Sequence, residues 1–213
     1  EIMPSLVGSE MCIRDRVEQI AVCAEGLKVN IYLNHPLTAR RAAAQEVSSC
    51  CTDNVTLGSP VEVQPLRTVP HLDVQPEWVD ALAAAMSAGL PLYQATHAVH
   101  SCFVLHRGHI FCACEDIGRH NCLDRLAGWA CLNGIDPAET VLFVSARITS
   151  SLYAKARRAG FSFLISRSAV TSTPVEMARQ QNRLHPAHPV TVVGFCRPRE
   201  ERLTVFAGEG RIA

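Results

Sequence analysis

The sequence predicts an α/β protein, because short apolar runs of strand length alternate with amphipathic helical patterns along much of the chain. Residues 141–144 are four apolar residues in a row, and a helical pattern follows them over residues 149–159. The same order repeats, with a strand predicted over residues 161–165 and a helix whose capping box runs from Thr173 to Glu176. The chain has 213 residues, of which 48% are hydrophobic and 19% charged, so it can bury one sizeable globular core.

Helix and turn signals place the other elements around these two pairs. Pro76 begins a predicted helix that Gly89 ends, since the apolar residues between them share one face. Arg107 and Gly108 predict a two-residue hairpin turn. The remaining predictions are strands over residues 27–33, 98–105, 109–115, 190–195 and 203–206, and loops with short elements over residues 36–75.

Three regions are expected along the chain. Residues 1–16 resemble a translated sequencing adaptor and are taken as non-native. Residues 17–75 form an N-terminal region that contains the adjacent Cys50 and Cys51. Residues 76–213 carry the repeated strand and helix patterns and form the main core.

Charge and cysteine content limit the function classes. Twenty basic residues balance twenty acidic ones, so no overall field attracts nucleic acid or an anionic membrane. No apolar run approaches the roughly 18 residues that span a bilayer, and no signal-peptide pattern is present, so we expect a cytoplasmic protein. Ten cysteines in such a protein indicate reduced thiols, metal ligation or sulfur chemistry rather than a disulfide framework.

Residues 115–121, Glu-Asp-Ile-Gly-Arg-His-Asn, are the most informative stretch of the chain. They separate an apolar strand from an amphipathic helix that Gly134 ends. The unpaired N–H groups and the dipole at such a helix start favour an anion, and Arg119 adds a formal positive charge. A salt-bridged surface loop is the plainer alternative for each charged residue.

The helix after this turn carries polar residues whose roles differ. Asp124 and Arg125 are expected to pair with Glu115 or Asp116, which is a structural role. His120 can act as a general acid or base, or its ring can pack against a neighbour.

Two further strand-to-helix turns carry polar residues, at positions 145–147 and 166–171. If all three strands are adjacent and parallel, the three turns meet at the carboxyl edge of one sheet. Such an edge would hold Arg119, Arg147 and Arg167 near hydroxyl groups and helix N-termini. The sequence therefore predicts a site for a phosphate or pyrophosphate, with ordinary helix caps as the alternative explanation of the serines and threonines.

The motif over residues 96–128 resembles the formate dehydrogenase accessory sulfurtransferases, the FdhD/NarQ family. Later motifs of that family are matched in order, and upstream residues 25–34 and 48–51 resemble its first strand and the start of its cysteine loop. The matching residues are His100, 115–121, Asp124, Arg125 and Gly128, then Ser145-Ala146-Arg147, Lys155-Ala156, Ala159-Gly160, 168–171 and Gly194-Phe195-Cys196-Arg197.

The resemblance implies a cytidine-deaminase-like core with a mixed sheet and flanking helices, plus a small reduced N-terminal β segment. It implies a cytoplasmic sulfur carrier that takes persulfide sulfur from a cysteine desulfurase. The acceptor is the molybdenum cofactor in its bis-molybdopterin guanine dinucleotide form, which then enters formate dehydrogenase. Family members often form homodimers, and no permanently bound metal, nucleic acid or membrane partner is expected.

The resemblance also assigns site residues. Cys50 and Cys51 are the candidate catalytic thiols, since sulfur transfer needs an accessible thiolate. The candidate cofactor-binding residues are Phe195, Cys196, Arg197, Pro198, Arg199 and Glu200, together with Arg119, His120, Asn121 and Arg147. The family separates its two cysteines by two residues, whereas here they are adjacent. Either Cys50 still carries the persulfide, or the loop no longer transfers sulfur and the protein is a non-catalytic, chaperone-like carrier of the cofactor.

A zinc-binding module is the alternative from another class. Six potential ligands lie close together in sequence, namely His100, Cys102, His106, His109, Cys112 and Cys114. A two-residue turn pairs position 103 with 112 and position 101 with 114, which points Cys102 away from Cys112 and Cys114. A register shift would be needed to bring the set together, so no metal site is expected. The His-x-Glu and Pro-Cys-x-x-Cys patterns of zinc deaminases are also absent from the sequence.

Overall fold

The structure is a computed structural model that describes residues 17–23, 29–34, 72–197 and 202–212. The α/β prediction is confirmed, because helices pack on both faces of a six-stranded mixed sheet. The strands are β1 (Val17–Val22), β2 (Val29–Leu33), β3 (His100–His106), β4 (His109–Asp116), β5 (Thr140–Val144), β6 (Phe163–Ser166), β7 (Thr191–Arg197) and β8 (Arg202–Ala207). The helices are α1 (Pro76–Ala88), α2 (Pro91–Thr96), α3 (Arg119–Leu132), α4 (Ser150–Arg158) and α5 (Ser172–Leu184), with 3₁₀ turns at Pro137–Glu139 and Glu209–Arg211. None of the described helices combines the length and the apolar character that crossing a membrane requires.

The large sheet has the strand order β4-β3-β5-β6-β7-β8. The strands β5, β6 and β7 run parallel, while β3 is antiparallel to both of its neighbours, β4 and β5. The strand β4 therefore points the same way as β5, β6 and β7, so these four strands end at one side of the sheet. We call this side the carboxyl edge, and it is defined by the last residues of the four strands, Asp116, Val144, Ser166 and Arg197.

Two apolar layers fill the space between the sheet and its helices. Leu142 and Val144 of β5 pack with α3 and α4, whereas Val141 and Phe143 pack with α1. All four side chains are at most 2% exposed, so β5 is buried on both faces. This double burial explains why β5 is a continuous apolar run, as is usual for a central parallel strand.

Helix boundaries follow the backbone chemistry of proline and glycine. Pro76 begins α1 and Gly89 ends it at φ 76°, as predicted, since glycine adopts positive φ at little cost. The predicted start of α5 at Thr173 is wrong, because the helix begins at Ser172 and its N-cap is Thr171. Pro174 is the third helical residue, where a missing N–H removes no helical hydrogen bond, so the helix can begin before Thr173.

The hairpin of β3 and β4 turns at Arg107 and Gly108, as predicted. Its predicted register is wrong, since Cys102 lies opposite Cys114. A β-bulge at Phe111 adds one residue to β4, and this residue moves every later pair by one position. Cys102 and Cys114 therefore point to the same face of the sheet.

A separate two-stranded antiparallel sheet pairs β1 with β2. The strand predicted over residues 27–33 is confirmed in β2, whereas β1 has no counterpart among the predictions. The register of β1 shifts between Val17 and Gln19, which breaks the period of two that marks a strand in sequence. The predicted loops over residues 36–71 lie outside the described residues.

Candidate functional site

The three polar strand-to-helix turns lie at the carboxyl edge, as predicted, but the expected adjacency of their strands is wrong, because β3 lies between β4 and β5. The turns after β5 and β6 are joined by a hydrogen bond from the Ile148 N–H to the Ala169 carbonyl, at 3.1 Å. The Phe195 N–H donates to the Ser168 carbonyl at 2.8 Å, which ties the end of β7 to the same turns. These bonds continue the strand pairing beyond the strand ends, so the backbone holds the edge in place.

Arginine side chains from three neighbouring strand ends form a row at this edge. Arg147 follows β5, Arg167 follows β6 and Arg197 ends β7, and all three are exposed. Neighbouring strands lie about 4.8 Å apart, so the three strand ends that carry these arginines span roughly 10 Å. Among the residues that the structure describes, neither the Arg147 nor the Arg167 side chain has a hydrogen-bond or ion-pair partner. The positive charge of these two side chains is therefore available to an anion.

Glu115 anchors helix α2 from the turn after β4. Its carboxylate oxygens accept the backbone N–H groups of Leu92 at 2.8 Å and Tyr93 at 2.7 Å. A helix cannot satisfy these first-turn N–H groups internally, and a negative charge beside them also interacts favourably with the helix dipole. The carboxylate is thus occupied within the fold.

Asp116 and Asn121 close the turn after β4 onto itself. One oxygen of Asp116 accepts the Gly118 N–H at 2.9 Å and the side-chain amide of Asn121 at 3.0 Å. This arrangement is the usual way in which an aspartate stabilises a tight turn. The expected contact of Asn121 with a cofactor stays a prediction.

Two charged residues on α3 have different partners. Arg125 donates to the Glu115 carbonyl at 2.6 Å and lies 3.9 Å from the Asp116 carboxylate, which confirms its predicted pairing. The prediction for Asp124 is wrong, because its carboxylate pairs with Lys155 of α4. Asp124 faces the neighbouring helix rather than the turn, so it joins α3 to α4.

Two histidines lie at the carboxyl edge. His120 is 8% exposed, and its Nε2 lies 3.5 Å from the Ser151 Oγ at the start of α4. This contact fits both roles that the sequence allows for His120, so its role stays a prediction. His100 begins β3, where burial and then the charge of Arg119 lower the pKa of its imidazole. The Arg119 guanidinium is therefore close to the start of β3, at the carboxyl edge.

The backbone of β7 takes an unusual path where it reaches this edge. Phe195 has φ 50°, a left-handed conformation that is strained for any residue with a bulky side chain. The guanidinium carbon of Arg197 lies 5.9 Å from the centroid of the half-buried Phe195 ring. Strained backbone is frequent at ligand sites. An aromatic ring and a cation are thus presented together at the end of the arginine row.

Cys196 points away from the carboxyl edge. Its side chain is 3% exposed and packs in the apolar layer on the α1 side of the sheet. Burial, and then the nearby charge of Asp80, raise the pKa of the Cys196 thiol to about 11. The predicted residues that lie outside the described parts of the chain are Cys50, Cys51, Pro198, Arg199 and Glu200, so their roles stay predictions.

Gly194 allows the turn after β6 to pack closely against β7, and the sequence patterns did not assign it a role. A Cβ at this position would lie 2.9 Å from a side-chain carbon of Phe206 and 2.9 Å from one of Val170. A glycine inside an apolar strand is the sequence signal for such a close approach. Gly194 therefore helps to set the position of Phe195.

The thiols of Cys102, Cys114 and Cys122 lie in the apolar layer between the sheet and α3, because the bulge in β4 places Cys114 opposite Cys102. The Cys114 thiol donates to the Cys122 carbonyl at 3.2 Å, and the Cys122 thiol donates to the His100 carbonyl at 3.3 Å. A hydrogen bond to Cys122 and burial raise the pKa of Cys114, and a hydrogen bond to Cys102 raises the pKa of Cys122. Within the described ranges, no group of three or more His, Cys, Asp or Glu side chains is arranged to hold a metal ion. The register that the sequence predicted would have separated Cys102 from Cys114, whereas in the structure they face the same side, and the zinc-binding alternative stays a prediction.

The chain is similar in sequence to known bacterial proteins. A sequence model described as the FdhD/NarQ family matches residues 7–213. The "Sulfur carrier protein FdhD" of Bacillus subtilis is 31% identical over 172 residues, which cover 79% of this chain and 63% of that protein. The protein of the same name from Chromobacterium violaceum is 37% identical over 127 residues, which cover 59% of this chain and 44% of that protein.

The fold is similar to the crystal structure of a protein from Desulfotalea psychrophila that is provisionally described as a formate dehydrogenase accessory protein. The TM-score is 0.67 at 21% sequence identity, over 93% of this chain and 71% of that chain. The matched part of this chain spans less than two thirds of the length of the two bacterial relatives. Because the family match covers nearly the whole sequence, the chain belongs to the FdhD/NarQ family.

Proposed function

We propose that this chain is a sulfur carrier that serves the maturation of formate dehydrogenase. Its family supports this role, since the relatives in Bacillus subtilis and Chromobacterium violaceum are both named sulfur carrier proteins. The proposed donor is a cysteine desulfurase, and the proposed acceptor is the bis-molybdopterin guanine dinucleotide form of the molybdenum cofactor. The proposal includes a cytoplasmic setting, a homodimer and a core of the cytidine-deaminase type.

The arginine row is the observation that carries the cofactor-binding part of this proposal. The acceptor contains pyrophosphate groups, and guanidinium groups bind phosphate oxygens through paired N–H donors. The Glu115 and Asp116 carboxylates accept N–H groups within the fold, and Asp116 lies beside Arg125, so neither forms an ion pair with an arginine of the row. Arg147, Arg167 and Arg197 bind the phosphates in this proposal, and Phe195 lies beside them.

Cys50 carries the sulfur in this proposal. Its thiolate attacks the outer sulfur of a persulfide on the desulfurase, so that one S–S bond forms as another breaks and the desulfurase thiolate leaves. Buried thiols of raised pKa react poorly in such exchange. The buried cysteines of the described ranges are Cys102, Cys114, Cys122, Cys131 and Cys196. Burial makes these five poor carriers, whereas Cys23 and Cys112 are half-buried, and burial raises the pKa of the Cys112 thiol. The choice of Cys50 therefore depends on the family resemblance.

A non-catalytic carrier of the cofactor is the second candidate function. The adjacent Cys50 and Cys51 favour it, because the family pattern places two residues between its cysteines. Mass spectrometry after incubation with a cysteine desulfurase and cysteine separates the two functions. A sulfur carrier gains the mass of sulfur in the wild type and loses this adduct in Cys50→Ala. Identical adducts in both proteins would remove Cys50 as the carrier, and an absence of adducts in both would favour the non-catalytic function.

GDP is the probe for the carboxyl edge, because it presents a guanine and a pyrophosphate group. Calorimetric titration should show roughly tenfold weaker binding for Arg147→Met and for Arg167→Met, which corresponds to about 1.4 kcal/mol for one lost charge-assisted contact. Arg183→Met is the matched control, since Arg183 is an exposed arginine in the last turn of α5. Unchanged GDP affinity in both edge variants would contradict the proposed site.

A further inference from the structure

We propose that a small inorganic anion binds between Arg157 and Arg211, at the side of the sheet opposite the carboxyl edge. This site is separate from the arginine row, and nothing in the proposed sulfur transfer requires it. The anion fastens the end of α4 and the last 3₁₀ turn to the start of β6.

Arg211 is buried at the amino ends of β6 and β7. Its side chain is 5% exposed, and its guanidinium donates to the carbonyls of Ser162 at 3.1 Å and Pro189 at 3.2 Å. A third bond reaches the Ser162 hydroxyl at 3.0 Å, and the guanidinium carbon lies 5.4 Å from the centroid of the Phe163 ring. All of these partners are neutral, so the fold supplies hydrogen bonds to Arg211 without a negative charge.

Arg157 brings a second cation to the same place. It lies in the last turn of α4 and donates to the Phe161 carbonyl at 2.6 Å, directly before Ser162. After burial, the charge of Arg157 is the next cause that lowers the pKa of Arg211, to about 10. No carboxylate pairs with either guanidinium in the described ranges. Among the described residues, the two guanidinium groups thus share a largely buried region without a compensating negative charge, an arrangement that strongly destabilises a folded protein.

Three polar atoms around this pair are buried without a hydrogen-bond partner among the described residues. They are the Nε atoms of Arg157 and Arg211 and the hydroxyl of Tyr153, which lies one helical turn before Arg157. A buried polar atom without a partner normally indicates a bound group that satisfies it. A water molecule can accept these hydrogen bonds, but it leaves both positive charges uncompensated. In this proposal a monatomic anion accepts hydrogen bonds from these donors and also supplies negative charge, so chloride is the probe that fits this chemistry.

Thermal unfolding in chloride and in gluconate, at constant ionic strength, tests the proposal. The melting temperature of the wild type should rise with chloride, by roughly 3–6 °C for each tenfold increase above the dissociation constant. Arg157→Met should lose this dependence, and in gluconate it should be at least as stable as the wild type, because one of two repelling buried cations is gone. Arg183→Met removes an exposed arginine and should keep the full chloride response.

Crystals of the wild-type chain in bromide provide a measurement that does not depend on any variant folding. The proposal expects an anomalous difference peak between the Nε atoms of Arg157 and Arg211. Equal melting temperatures of the wild type in chloride and gluconate would overturn the proposal, as would bromide crystals without this peak.

Discussion

Replacing Glu115 by glutamine tests whether this carboxylate is structural or takes part in binding. Glu115 stands beside Arg119 and His120 in the most polar turn of the chain, where a direct role in binding would be a natural assumption. In the structure, both of its oxygens accept N–H groups at the start of α2, from Leu92 and Tyr93. Glutamine keeps the shape and one acceptor oxygen, but its NH₂ group meets an N–H donor and its charge is lost.

The expected loss of stability is about 2 kcal/mol. A hydrogen bond to a charged group contributes roughly 1.5–3 kcal/mol in a buried site. The bond from Leu92 is exposed and the bond from Tyr93 is half-buried, so water weakens both. We therefore assign about 0.5 kcal/mol to the first bond and about 1 kcal/mol to the second, while the interaction of the lost charge with the helix dipole contributes about 0.5 kcal/mol.

Urea unfolding measures this loss, and Glu176→Gln is the matched control because Glu176 is exposed on α5 and has no partner among the described residues. With an m value of about 2 kcal/mol per molar urea, Glu115→Gln should lower the unfolding midpoint by about 1 M, while the control stays near the wild type. The folded variant should bind GDP within about twofold of the wild type, since a factor of two is only about 0.4 kcal/mol. A Glu115→Gln protein as stable as the control would refute the structural role. Loss of GDP affinity at unchanged stability would do the same.

Three further predictions follow from the site. The pKa of the His100 imidazole is lowered in the folded protein, so the unfolded chain binds a proton there more readily. The free energy of unfolding is therefore unaffected by this group above its ordinary pKa of 6.5, and it declines as the pH falls below that value. His100→Gln should reduce this decline in urea unfolding between about pH 7 and about pH 5, and an identical pH profile in the variant would count against it. Gly194→Ala should lose about 1–3 kcal/mol and bind GDP more weakly, because the new Cβ displaces Phe206 and Val170. Gly128→Ala, where no atom lies within 4 Å of the new Cβ, should instead gain roughly 0.5–1 kcal/mol, and equal effects of the two changes would contradict the close approach. Cys114 and Cys122 should resist iodoacetamide in the native protein and react after unfolding, as followed by peptide mass spectrometry; rapid native labelling would show that they are accessible thiolates.

The carboxyl edge could be predicted from the sequence because its signals are local. The apolar run of β5, the polar turn after it and the helix of α4 repeat in β6 and α5, and such repeats build parallel strands whose turns share one edge. Arg147 and Arg167 therefore lie at the carboxyl edge by virtue of their position after each strand. Arg197 occupies the corresponding position on β7, which extends the row by one strand.

The register of β3 and β4 could not be predicted, because the bulge leaves no trace in the sequence pattern. Ile110, Phe111 and Cys112 are all apolar, so an extra residue among them does not disturb any visible alternation. The partners of Glu115 and Asp124 could not be predicted from the sequence either. Glu115 bonds to N–H groups more than twenty residues upstream, and Asp124 pairs with a lysine on the next helix, so sequence spacing does not reveal either contact.

The proposed sulfur transfer requires one reactive carrier cysteine, and it requires the other cysteines near the acceptor to be unreactive. A persulfide is attacked by any accessible thiolate, so a second reactive thiol near the acceptor would divert the sulfur. Cys114 and Cys122 lie below the carboxyl edge, where hydrogen bonding between thiols and burial raise their pKa values and keep them neutral. Cys196 belongs to the strand that ends at Arg197, yet its buried thiol packs on the α1 side of the sheet. These thiols therefore do not compete with a carrier thiolate. This chemical inertness is what a sulfur-receiving site requires when the sulfur arrives from a thiol outside it.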